Sequence, residues 1–159
     1  MEFSIYIVPF LAIIGLLAMA FKAKWVINRS PGGKNMQGLA SHIKEGALAF
    51  LSAEYRVLVI FVVIAGVFLA VISSFIESTS SLIVVAFVVG AIFSALAGNI
   101  GMRIATEANV RTTEAARTSL PNALAVSFSG GMVMGLGVAG LAVFGLSLIH
   151  ISEPTRPID

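Results

Sequence analysis

Four long apolar runs alternate with three short polar stretches along this chain. Phe3 to Phe21, Val57 to Ile76, Leu82 to Met102 and Leu120 to about Leu148 carry almost no charge. Each is close to, or beyond, the ~20 apolar residues that cross about 30 Å of hydrocarbon. The pattern predicts an all-α membrane protein with four transmembrane helices, at about 3–21, 43–76, 82–112 and 121–148. Helix two becomes legible at Gly38, ahead of its apolar run, and helix three continues past Met102 into charged sequence. Both are therefore expected to extend into the cytoplasm. Residues 28–38 read as a loop from their Pro and Gly content, and Pro121 suits the first turn of helix four.

Composition agrees with this pattern. Of the 159 residues, 58% are hydrophobic and 11% charged, against about 25% charged in ordinary globular chains. A formal charge of +2 spread over loops gives no sign of a nucleic-acid partner, and the absence of cysteine excludes disulfides and thiolate metal sites. Ala18-Met19-Ala20 resembles a signal-peptide cleavage site, but the amino-terminal flank holds Glu2 and no Lys or Arg, so a retained helix is expected. Residues 22–45 hold five basic residues against one acid, Glu45, and residues 103–119 add Arg103, Arg111 and Arg117. The 77–81 connection has no basic residue. By the positive-inside rule the amino terminus and the 77–81 turn lie outside, and the other two connections are cytoplasmic.

Two stripes of small residues bear on packing. Ala86, Gly90, Ser94 and Gly98 recur every four residues in helix three, as do Ser127, Gly131, Gly135 and Ala139 in helix four. Small residues let membrane helices approach closely, where the hydrophobic effect gives them little attraction. The stripes are expected to pack helices, three against four being the sharpest pairing. Arg103, Glu107, Arg111, Glu114 and Arg117 form a charged ladder on one face of helix three. Three arginines against two glutamates leave little net charge for an anion, so a solvated face is favoured over a binding site.

The other motifs carry less. Gly135 to Gly140 matches the dinucleotide fingerprint, yet it lies inside an apolar helix with no preceding strand and no acid about 20 residues on. Glu54 and Arg56 sit at the membrane edge of helix two and suggest a contact to a neighbouring helix more than ion transfer. His42 has no second ligand at metal spacing. No residue is assigned as catalytic, cofactor-binding or metal-ligating. A rotor subunit is disfavoured because helix four has no carboxylate at mid-membrane.

Ile43-Lys-Glu-Gly-Ala-Leu-Ala-Phe-Leu-Ser-Ala-Glu-Tyr55, Asn99-Ile-Gly-Met-Arg-Ile-Ala-Thr-Glu-Ala-Asn-Val-Arg-Thr-Thr-Glu-Ala-Ala-Arg117 and Val126-Ser-Phe-Ser-Gly-Gly-Met-Val-Met-Gly-Leu136 resemble the amino-terminal quarter of membrane-integral, ion-pumping pyrophosphatases. The resemblance implies a homodimer in a prokaryotic cell membrane, with about sixteen helices per subunit. It also implies magnesium-dependent pyrophosphate hydrolysis, in some members with potassium, driving protons or sodium ions out of the cytoplasm. The family's magnesium-pyrophosphate and ion-gate motifs lie on later helices and have no counterpart here. Residues 1–145 therefore correspond to outer-ring helices, which are expected to be inactive alone and to need the bilayer and the remaining helices as partners. The alternative is a small four-helix membrane scaffold or accessory subunit without catalysis. Residues 146–159 do not resemble the family. Leu146 to Arg156 look like a translated transposase-type sequencing adapter, so a non-native tail is expected after about Gly145.

Overall fold

The computed structural model describes residues 2–75 and 82–152, and each apolar run in it becomes one continuous helix. These are α1 (Glu2–Ile27), α2 (Lys34–Phe75), α3 (Leu82–Ala116) and α4 (Leu120–Ser152). All four are long and apolar enough to cross a membrane. At 1.5 Å per residue, the 42 residues of α2 and the 35 of α3 reach about 63 and 52 Å. Both are longer than the ~30 Å hydrocarbon layer is thick.

The helix ends differ from the sequence expectation where no residue breaks the backbone pattern. α1 runs on past Phe21 to Ile27 because Lys22, Ala23 and Lys24 are all tolerant of helix, and it stops before Pro31, which disfavours helix in the residue ahead of it. Residues 34–42, ahead of the expected start at 43, are the first turns of α2. Gly32 turns the chain with φ of +78°, and the Gln37 side chain donates 2.7 Å back to the Gly32 carbonyl, closing the new helix start. α3 continues to Ala116, four residues beyond the expected end, and closes with tight bonds from Arg117 to Glu114 and from Thr118 to Ala115. Ser119 caps α4: its Oγ accepts from the Asn122 N–H at 3.3 Å, with Pro121 in the first turn as expected. The 77–81 turn lies outside the described residues, as do 153–159 of the expected tail; residues 146–152 complete α4.

The helices pack in the order α2, α3, α4, α1, with α1 also reaching α3. Among the described residues, α2 touches only α3. The core is small and sits toward the carboxyl end of α1, where Val26, Ile104, Ala108 and Val133 are buried together. Elsewhere large apolar side chains face outward, Phe61, Phe68 and Phe75 of α2 among them. The chain exposes 10948 Å², against about 7,600 Å² expected of a compact soluble protein of its mass. Many of the exposed side chains are large and apolar, a surface that water would penalise and lipid does not.

α3 and α4 do not meet along the two small-residue stripes. A Cβ built at Gly90, Gly131 or Gly135 would have open space around it, and Ser127 and Ala139 are exposed. Gly98 has only the Tyr55 hydroxyl nearby, at 4.0 Å. The contact runs instead through Gly101 under Met134, Gly130 under Ala108, and Ile104 beside Val133. A methyl at Gly130 would lie 2.7 Å from the Ala108 Cβ, so this is the position where the backbones come close. Gly137 and Gly140 do the same for α1, against Met19 and Leu16. Glycine recurs on more than one face of α4, and only one face is used here.

Candidate functional site

The polar residues gather where the carboxyl ends of α1 and α3 meet the amino ends of α2 and α4. α3 supplies most of them, because its charged extension runs alongside the α1–α2 turn. Its ladder is not uniformly solvated. Arg111 is 8% exposed, and its Nε donates to the carbonyls of Ile27 and Arg29 at 3.2 and 3.1 Å. These carbonyls lie at and just past the end of α1, where backbone acceptors have no helical partner and a cation is favoured. Arg111 Nη1 also bonds to both the carbonyl and the carboxylate of Glu107.

Glu107 joins three helices through this arginine. Its other oxygen accepts from Lys44 Nζ of α2 at 2.6 Å. The hydrogen bond from Lys44 is the largest cause holding the Glu107 carboxyl below its ordinary pKa; burial opposes it, and the Arg111 hydrogen bond and the two positive charges add to the lowering. Lys44, Glu107 and Arg111 thus tie α2 to α3 and α3 to the end of α1. The rest of the ladder is peripheral. Arg103 is exposed and bonds to Asn99 one turn back, while Arg117 lies 3.6 Å from Glu114 with most of its side chain in solvent. Spacing put all five on one face, but only the middle of that face is covered by neighbours.

Two kinds of contact escaped the sequence reading, one between residues far apart in the chain and one between near neighbours. Tyr55 donates from its hydroxyl to the Ala95 carbonyl of α3, making the contact expected of Glu54 and Arg56, which are both exposed. Trp25 carries two cations: Arg29 stacks at 3.9 Å from the ring centroid, and Lys22 stands at 5.7 Å. The aromatic-cation spacing on one helix turn was the available signal. His42 is exposed, and among the described residues no group of three His, Cys, Asp or Glu could hold a metal ion.

A cavity of about 310 Å³ opens beside this network, lined by Trp25, Arg29, Arg111, Glu114, Thr118 and Asn122 among others. Arg111 forms part of its wall, and Arg29 enters it with its guanidinium plane held by Trp25. The buried Glu114 Oε2 accepts no hydrogen bond and packs close to Gly32, so the α1–α2 turn abuts one side of the cavity. Glu114 is the one carboxylate among the described cavity-lining residues, and the arrangement is a set of helix ties with a polar recess.

Residues 13–156 match the family model described as inorganic H+ pyrophosphatase. The chain is 39% identical over 151 residues to a K(+)-insensitive pyrophosphate-energized proton pump of Methanosarcina mazei, covering 95% of this chain and 22% of that protein. It is 38% identical over 159 residues to a similarly described proton pump of Moorella thermoacetica, covering 96% of this chain and 23% of the relative. A K(+)-stimulated pyrophosphate-energized sodium pump of Thermotoga maritima is 36% identical over 148 residues, covering 92% of this chain and 19% of its own length. The chain therefore spans about a fifth of the length of the curated relatives it matches.

Proposed function

The chain belongs to the inorganic H+ pyrophosphatase family, and on that premise we propose that it forms the amino-terminal, outer-ring part of a pyrophosphate-driven ion pump. The match across residues 13–156 carries this reading. In the complete protein, magnesium-dependent hydrolysis of pyrophosphate drives protons or sodium ions across the membrane. Relatives described as proton pumps and as sodium pumps both match this region, at 39% and 36% identity, so the choice of ion is assigned to helices beyond it. Magnesium, and potassium where it acts, bind there too. The role of residues 1–145 is structural, and the chain is inactive alone.

The charged end of the bundle faces the cytoplasm and the amino terminus lies outside, in a prokaryotic cell membrane. Support comes from the basic residues at 22–45 and 103–117, which the fold collects at one end. Ala86, Gly90, Ser94 and Gly98, with Ser127, Gly131, Gly135 and Ala139, receive the remaining helices of the pump or its second copy. The open space around Gly90, Gly131 and Gly135 supports that role.

Reconstitution tests the reading. The purified 159-residue chain is expected to release no phosphate from magnesium pyrophosphate, while vesicles holding the complete gene product show pyrophosphate-dependent ion uptake. Turnover by the short chain, or none by the complete product, refutes it.

A further inference from the structure

The cavity beside Trp25 has more hydrogen-bond donors than the protein uses. The Arg29 guanidinium is fixed in orientation by stacking 3.9 Å from the Trp25 centroid, yet its N–H groups bond to no protein acceptor among the described residues. Arg111 uses its Nε and Nη1 on carbonyls and on Glu107, leaving Nη2 unbonded in a side chain that forms part of the cavity wall. Asn122, in the first turn of α4, donates its backbone N–H to Ser119 but leaves its side-chain amide unbonded, and the Thr118 hydroxyl is likewise free among the described residues. The carboxylate in the wall, Glu114, faces only the largely exposed Arg117 at 3.6 Å, and its buried Oε2 accepts no hydrogen bond, so an anion must be held by the donors on the other walls. A recess holding two arginines, an amide and a hydroxyl suits a tetrahedral oxyanion, whose oxygens accept several donors at once.

Position decides where that anion comes from. The cavity lies at the ends of α1 and α4 where their apolar runs stop, and a tryptophan beside basic residues is typical of a bilayer interface. Phe21, one turn before Trp25, and Leu124 and Phe128, on either side of Ala125, are exposed large apolar residues next to cavity-lining positions. They offer acyl chains a surface directly below the polar recess. We propose that this cavity binds the phosphodiester of an anionic lipid headgroup, with Arg29 and Asn122 as its principal donors. The proposal needs these helices to lie in a bilayer but does not rest on the pump reading, because lipid retention is measured without pyrophosphate.

The test places the chain in nanodiscs of phosphatidylcholine alone or mixed with phosphatidylglycerol, and counts retained lipid by native mass spectrometry. Trp25, the single tryptophan, reports occupancy by fluorescence, and circular dichroism checks that each variant keeps its helices. Phosphatidylglycerol should be retained in preference to phosphatidylcholine, and Arg29→Gln should weaken that preference about fivefold. Asn122→Leu should weaken it to a smaller extent. Arg103→Gln removes a charge from the same end of the bundle without touching the cavity, and should leave retention unchanged. Equal retention of the two lipids, or an equal loss in Arg103→Gln and Arg29→Gln, overturns the proposal. Inorganic phosphate saturating the same fluorescence change at comparable concentration overturns the lipid assignment in favour of a free anion.

Discussion

Replacing Arg111 by Met should loosen the bundle more than any other charge removal in the ladder. Methionine keeps the length and apolar stem of the side chain and deletes the guanidinium. Lost with it are the shared bond to the Ile27 and Arg29 carbonyls, the ion pair to Glu107 and the local bond to the Glu107 carbonyl, which keeps its place in the helix. The two carbonyls end a helix at exposed residues and can turn to water, and Glu107 keeps Lys44 at 2.6 Å. The cost is therefore one charge-assisted bond plus one ion pair, about 3 kcal/mol, the low end of what breaking a buried pair costs. That corresponds to about two powers of ten in the folding equilibrium. Unfolding in mixed micelles of increasing SDS content, followed by Trp25 emission, measures it directly, because Trp25 stacks on Arg29 at the end α1 would release. Arg111→Lys should fall between, since an ammonium keeps the charge but loses the planar fork. Arg103→Ala and Arg117→Ala should lie within about 0.5 kcal/mol of wild type, as exposed pairs do. If Arg111→Met unfolds at the wild-type SDS fraction, or if Arg117→Ala costs as much, the assignment of Arg111 as the tie between α1 and α3 is wrong.

Gly130→Ala should destabilise by about 1–3 kcal/mol, because its methyl would meet the Ala108 Cβ at 2.7 Å and neither side is a flexible chain end. Gly131→Ala and Gly135→Ala should be neutral in the short chain but impair assembly of the complete pump, as measured by its detergent-resistant oligomer; no effect there removes the packing role proposed for the stripe. The pH dependence follows from Glu107, whose carboxyl is held below its ordinary range. The unfolded chain takes up this proton first as pH falls, so the stabilisation is complete above the unfolded pKa and disappears as pH drops through the folded one. SDS resistance should therefore be flat near neutrality and decline in the acid range, and Glu107→Gln should flatten that acid decline. Finally, the non-native tail is a proposal that the family match, which runs to residue 156, counts against; it stands only if the genomic reading frame after Gly145 diverges from residues 146–159, and an uninterrupted frame through Asp159 into the pump's next helix refutes it.

The four helices were legible from the sequence because crossing a bilayer demands length and apolarity, which are local properties. The start of α4 was legible from Pro121, while the end of α3 at Ala116 was missed, as were Ile27 and Lys34, where only the Gly32 turn and the Gln37 bond set the boundary. The candidate site was legible only as a set of charges. Lys44 and Glu107 are 63 positions apart, Tyr55 and Ala95 are 40, and nothing in the intervening spacing announces either contact. The face of α4 that turns inward was likewise undetermined. In a soluble protein the buried face of a helix is its apolar one, so periodicity reveals it; in a membrane both faces are apolar, and Gly131 and Gly130 look alike until a neighbouring backbone arrives. The chain alone settled that four helices span a membrane, which family they belong to, and which residues carry charge. Only the tertiary structure decided that Arg111 is buried on the end of α1 while Arg103 and Arg117 stay outside, because that choice depends on which helices pack beside α3.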